Sequence, residues 1–189
     1  KFFAAGGSKL PDAVEDEIEG LLGLPFEAPV GADVGRITDA VDAAQRYLDH
    51  LALAVPNKLK GVKLVVDGAN GAASVVGPAA YRLAGAEVIE IHTNPDGLNI
   101  NLDCGSTHMG DLVSAVLEHG ADLGLAHDGD ADRCLAVDAN GELIDGDQIL
   151  AILAMAMLER GHLADNTVVA TVMSNLGFIQ AMEANGIIV

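Results

Sequence analysis

The sequence predicts an α/β protein: a three-layer αβα domain on a mixed, mostly parallel sheet, with parts of flanking domains at either end. Three observations carry this. From Val62 onward, apolar strand-like runs alternate with amphipathic helical stretches, which is the pattern of βαβ units. Aromatic residues are only 3% of the chain although hydrophobic residues are 50%, and Gly occurs 22 times, as expected where small side chains let helices lie close on a sheet. Asn140-Gly141 sits between two short strand-like runs, and this pair suits a tight hairpin turn, so at least one strand must run against its neighbours.

Taken in order, Leu10, Val14, Ile18, Leu21 and Leu22 recur at helical spacing with acidic residues between them, giving an amphipathic helix opened by Pro11. Residues 23–32, with Pro25, Pro29 and Gly31, read as a linker, because Pro and Gly punctuate regular structure. Ile37, Val41, Ala44, Leu48 and Leu51 then mark a long helix, and a new domain starts near Asp33. Strand 62–66, a helix to Ala84, strand 87–91, helix 111–119 and strand 122–126 follow, then the hairpin strands 134–138 and 142–144. Helix 146–160 ends at Gly161, and strand 167–171 with helix 176–185 opens a further βα unit. The expected division is 1–32 as the end of a first domain and linker, 33–165 as an α/β domain, and 166–189 as the start of a third. Lys1-Phe2-Phe3 without Met, and Gly186 to Val189 reading as the beginning of a strand, lead to the expectation of a piece of a longer protein.

Composition narrows the function. Against 28 Asp and Glu stand 10 Lys and Arg, a net charge of -18, which opposes the phosphate neutralisation that nucleic-acid binding requires. Cys104 and Cys134 lie 30 residues apart with no metal-ligand spacing, so they read as reduced thiols of a cytoplasmic protein. The longest apolar stretch, 149–158, is about half the length of a bilayer-spanning helix.

The sharpest chemical signal is His127-Asp128-Gly129-Asp130-Ala131-Asp132-Arg133, directly after an apolar strand. Ligands of open α/β sheets gather at the carboxyl ends of strands, which is where this loop belongs. Asp128, Asp130 and Asp132 alternate with small residues, so a looped backbone turns three carboxylates towards one point, and three hard oxygen donors suit Mg²⁺ or Ca²⁺. An EF-hand starting at Asp128 needs Gly where Arg133 stands and Glu where Ala139 stands, so that reading fails. A haloacid-dehalogenase-type phosphatase fits poorly at Asp132, and a solvated acidic turn stays open as the bland alternative. Arg133 beside a cation makes sense when an anion such as a phosphoryl group sits between them, since Arg forks onto phosphate oxygens.

Other motifs are ambiguous on their residues alone. Ser106, Thr107 and His108 precede a helix, where a hydroxyl caps free N–H groups as readily as it meets a ligand. Gly68 to Gly71 is either an anion cradle or a tight βα turn. His127 is either a tuning group or a hydrogen-bonded neighbour of the loop, and Ser174 and Asn175 read equally as cleft residues or caps.

The loop resembles the metal loop of the α-D-phosphohexomutases, usually written DGDGDR, with Ala131 replacing the second Gly. Asp67-Gly68-Ala69-Asn70-Gly71-Ala72, Gly97-Leu98-Asn99-Ile100-Asn101, Cys104-Gly105-Ser106-Thr107-His108, Asp145-Gly146-Asp147-Gln148 and Thr171-Val172-Met173-Ser174-Asn175-Leu176-Gly177 are similar, in order and spacing, to the hexosamine-phosphate branch of that family. The resemblance implies a four-domain isomerase whose cleft collects one loop per domain. It also implies Mg²⁺ held by Asp128, Asp130 and Asp132 together with a phosphoserine, and Arg133 steadying the phosphoryl group. The implied substrate is a phosphorylated hexosamine, glucosamine 6-phosphate or 1-phosphate. Branches acting on mannose or glucose phosphates, and a non-catalytic divalent-cation module, are the rivals. The family's Ser-His-Asn-Pro phosphoserine setting does not occur in this sequence, so the expectation is a chain that binds metal weakly and catalyses nothing alone. The resemblance leaves room for a homodimer of the intact enzyme and implies neither a nucleic-acid nor a membrane partner.

Overall fold

The computed structural model describes residues 2–55 and 57–189; Lys1 and Pro56 lie outside the described residues. The chain forms two compact units, Lys1–Ala40 and Val41–Val189. In the first, helix α1 spans Asp12–Leu21, and Pro11 stands as its extended N-cap residue. Lys9 Nζ reaches Asp12 Oδ1 at 2.9 Å, placing a cation against the acidic first turn.

The second unit opens with helix α2, Ala43–Ala54. The long helix expected from Ile37 is therefore shorter: Ile37 and Val41 are 100% and 92% exposed and lie before the helix. Gly35, Ile37, Thr38 and Asp39 are all weak helix formers, and the apolar spacing that joined Ile37 to Leu51 was coincidental across them. Strand β1 (Lys63–Asp67), helix α3 (Ala73–Ala84), strand β2 (Glu87–Ile91), helix α4 (Gly110–His119) and strand β3 (Leu123–His127) then alternate as anticipated. Strands β4 (Cys134–Asp138) and β5 (Leu143–Ile144) form the hairpin. Asp138 Oδ1 accepts the Asn140 and Glu142 N–H groups, and Gly141 takes φ +84°, which Asn-Gly turns supply at low cost.

The sheet order is β2-β1-β3-β4-β5. β1 pairs parallel with β2 and β3, whereas β4 pairs antiparallel with β3 and β5. Strand parity sorts the side chains into layers. Val65 and Ala126 join Leu112, Ala115 and Val116 of α4 in one core, while Leu64 and Val66 pack with Tyr81 of α3 and Leu59 in the other. α4 sits so low on the sheet that a Cβ at Gly124 would lie 2.7 Å from a Val116 methyl. On the α3 side a cavity of about 460 Å³ is lined by Leu48, Leu51, Val55, Val76, Tyr81 and His127.

Helix α5 (Gly146–Glu159) starts in a capping box between Asp145 and Gln148. Helix α6 (Leu176–Ala184) packs on it through Ala154, Phe178, Met182 and Ile187. The strand expected over 167–171 is only a single parallel bridge, Thr167 to Ile188, with Val168 N–H donating to Ile188 O. A strand is made by its neighbours, and among the described residues this segment has one partner pair.

Candidate divalent-cation site

From β1 the chain crosses to β2 on one side, then returns to β3 on the other. That reversal opens a crevice above the carboxyl ends of β1 and β3, the usual ligand position in such sheets. The loop 128–133 rises there between β3 and β4, whose paired residues His127 and Cys134 close its base. Ala131 N–H donates to Asp128 O at 3.0 Å, forming a tight turn. Ala131 itself has φ +59°, a left-handed conformation that costs a residue with a Cβ roughly 1–2 kcal/mol.

The turn gathers the carboxylates. One oxygen from each of Asp128, Asp130 and Asp132 lies within 4.8 Å of the others. Asp128 is buried, and the other two face solvent. Asp128 Oδ1 accepts the Arg133 backbone N–H at 3.1 Å and Oδ2 accepts Nε–H at 2.6 Å, with Asp132 Oδ1 3.7 Å from the same Nε. Burial alone would raise the Asp128 carboxyl, but the Arg133 backbone N–H and guanidinium outweigh it and hold the carboxyl below its ordinary range. The donor set fits a hard divalent cation: three anionic oxygens, convergent on one point and with no soft ligand among them. Arg133, whose side chain is 72% exposed, fixes one of those carboxylates through Nε.

The other motifs meet around this loop. Ala72 N–H donates to Gly129 O at 2.9 Å, and a Cβ on Gly71 would fall 2.3 Å from that oxygen. Gly68 to Gly71 therefore serves as a tight turn whose backbone braces the acidic loop. A Cβ on Gly129 would meet the Asn101 side chain at 2.6 Å, and one on Gly105, φ +71°, would meet His127 O at 2.6 Å. Beneath lies Asp67, fully buried, which accepts from Ala69 N–H, Gly105 N–H and His92 Nδ1. Neither His92 nor the central place of Asp67 stood out in the sequence. The one available signal was an acidic residue ending an otherwise apolar strand, where burial demands partners.

The remaining candidates resolve as follows. His127 is a hydrogen-bonded neighbour: its Nε2 is 3.4 Å from Tyr81 Oη and the two rings stack. Burial lowers the His127 pKa; burial first and then the charge of Cys134 push Tyr81 up to about 12. Ser106 and Thr107 do not cap α4, whose N-cap residue is Met109; Thr107 Oγ1 pairs with His108 Nδ1 instead, at 3.2 Å. Asn175 caps α6 by accepting Phe178 N–H, and its own N–H donates to Asp147 Oδ2. Ser174 lines an open groove with Cys134, Asp145 and Thr171.

Residues 45–141 match phosphoglucomutase/phosphomannomutase alpha/beta/alpha domain II, and residues 145–189 match domain III. The chain belongs to the phosphoglucomutase/phosphomannomutase family. Within it, the phosphoglucosamine mutase of Corynebacterium glutamicum strain ATCC 13032 is 65% identical, over 99% of this chain and 42% of that protein. The phosphoglucosamine mutase of Saccharopolyspora erythraea is 64% identical, again over 99% of this chain and 42% of its own length. The chain thus spans less than half the length of these relatives. Among solved structures, a phosphoglucomutase/phosphomannomutase family protein from Burkholderia thailandensis aligns with TM-score 0.56 and 28% identity, over 62% of this chain and 26% of that one. The mixed α/β architecture is that of the family.

Proposed function

We propose that this chain carries the cation-binding loop of a phosphoglucosamine mutase, an isomerase that in its intact form interconverts glucosamine 6-phosphate and glucosamine 1-phosphate. The observation that carries the reading is the convergence of Asp128, Asp130 and Asp132 within 4.8 Å beside Arg133, in a chain 65% identical to a relative of that name. In this reading the three carboxylates hold Mg²⁺, which when bound supplies a positive field for charge developing on a transferring phosphoryl group. The chain's own residues set that field. Arg133 orients Asp128 through its backbone N–H and Nε, and its terminal nitrogens are the donors for a phosphoryl oxygen, to which guanidinium forks bind strongly. The Gly71–Gly129 backbone contact keeps the loop from widening.

The reading retains an α/β metal domain over 33–165, with 1–32 and 166–189 belonging to neighbouring domains. It also retains a cytoplasmic protein, to which the free thiols and the absence, among the described residues, of any helix long and apolar enough to cross a membrane lend support. The phosphoserine and sugar-recognition loop are placed outside these 189 residues, so the chain alone is inactive in this reading. The decisive experiment assays the full-length protein with Mg²⁺ on glucosamine 6-phosphate against mannose and glucose phosphates. Faster turnover of mannose or glucose phosphates reassigns the substrate. Mg²⁺ binding without turnover of any of them reduces the protein to a cation-binding module. Sedimentation of the same protein tests whether it forms a homodimer.

A further inference from the structure

We propose that Asp67, His92 and Cys104 form a second cation site, chemically distinct from the acidic loop, that takes Zn²⁺ rather than Mg²⁺. One donor atom from each lies within 4.8 Å of the other two. The donors are a carboxylate oxygen, an imidazole nitrogen and a sulfur, brought together by the ends of β1 and β2 and the turn before α4. Tetrahedral Zn²⁺, with bonds of about 2.0 Å to N and O and about 2.3 Å to S, spaces its donors by roughly 3.5 Å, so a small inward movement closes the shell. A sulfur donor disfavours Mg²⁺ and suits Zn²⁺.

Each of the three donors already has the supporting partner that metal ligands require. Asp67 accepts the Ala69 and Gly105 N–H groups at 2.8 and 3.0 Å. His92 Nε2 lies 3.3 Å from Asp111 Oδ2, a carboxylate placed to support the ring when Nδ1 ligates a metal. Asn70 Nδ2 donates to Cys104 Sγ at 3.9 Å, a contact that orients the sulfur. His92 Nδ1 already faces Asp67 Oδ2 at 3.0 Å, so the two donors meet on the side from which an ion would bind. Zn²⁺ binding displaces the Cys104 thiol proton to solvent, while the imidazole ligates through Nδ1 with its single proton moved to Nε2. Asp67 and Cys104 are fully buried, whereas the His92 side chain is 25% exposed, so the ion enters past the imidazole.

The proposal does not rest on the mutase reading, and the test keeps the two apart. The 189-residue chain is titrated with Co²⁺, whose thiolate complexes absorb in the near ultraviolet by sulfur-to-metal charge transfer. The expected result is one equivalent bound with that absorption, displaced by Zn²⁺ and unaffected by excess Mg²⁺. The signal should persist in Asp130→Asn and Cys134→Ser, vanish in Cys104→Ser, and weaken by roughly tenfold or more in His92→Gln and Asp111→Asn. Absence of the absorption in the unsubstituted chain, or its persistence in Cys104→Ser, overturns the site. Should Cys104→Ser fail to fold by circular dichroism, His92→Gln decides, and undiminished Co²⁺ affinity there overturns it equally.

Discussion

At the scale of single residues, charge and backbone strain make separate demands on the acidic loop. Asp130→Asn replaces one of three anionic donors by a neutral one, and Mg²⁺ dehydrates reluctantly for few charges. Calorimetric titration should therefore show affinity falling by roughly tenfold or more. Arg133 acts on Asp128 in the opposite sense to burial. Because the Asp128 carboxyl is depressed in the folded state, its stabilising contribution is present above the unfolded value of about 3.9 and is lost as pH falls through the lower, folded value. Arg133→Ala should thus be less stable than the unsubstituted chain at neutral pH, with the gap closing at acid pH in denaturant titrations. If the proposed mutase activity holds, the same substitution in the full-length protein should slow turnover by about a hundredfold while leaving Mg²⁺ bound. Ala131 provides the strain. Replacing it by Gly relieves roughly 1–2 kcal/mol of left-handed cost and forfeits roughly 0.4–1 kcal/mol to the freer unfolded chain. A net gain of about 0.5 kcal/mol in unfolding free energy is expected, and any loss of stability would show that the methyl packs usefully.

At the scale of elements, the site is made by turns pressing on one another, and this is what the sequence conveyed least. The three Asp ligand candidates were legible because chemistry that needs like charges at alternating positions is unusual in a chain. The βαβ alternation was legible because Leu64, Val65 and Val66 form an apolar run bounded by turn residues. Asp67 was not, since a buried acid differs from a solvated one only through partners at Gly105 and His92, 38 and 25 residues away. The helix expected from Ile37 failed for the converse reason: apolar spacing was read across residues whose backbone preferences oppose a helix. Gly71 illustrates the contact between turns. Gly71→Ala drives a Cβ into the Gly129 backbone and should destabilise the chain by about 1–3 kcal/mol, the range for overpacking. Mg²⁺ affinity should fall with it, and retention of both in thermal melts and titrations would show that the two turns separate at little cost.

At the scale of the whole molecule, the division at Ala40 and Val41 carries its own expectation. Both hydrophobic cores around the sheet, and all three acidic donors, lie in Val41–Val189. That segment expressed alone should bind Mg²⁺ as the full chain does, within about twofold; a larger loss would mean that the first forty residues hold the loop. The closure of the acidic loop by the His127–Cys134 pair reaches further, into what evolution and engineering are free to vary. Six residues separate the paired positions, and beyond them Val137 of β4 enters the core beside α4. One inserted or deleted residue, if taken up in the register of β4, would turn Val137 to the opposite face and bring Ala136 (insertion) or Asp138 (deletion) into its place. The loop is accordingly free to mutate in spelling but not in length, and indels of a single residue should be purged here even where substitutions between the Asp positions survive.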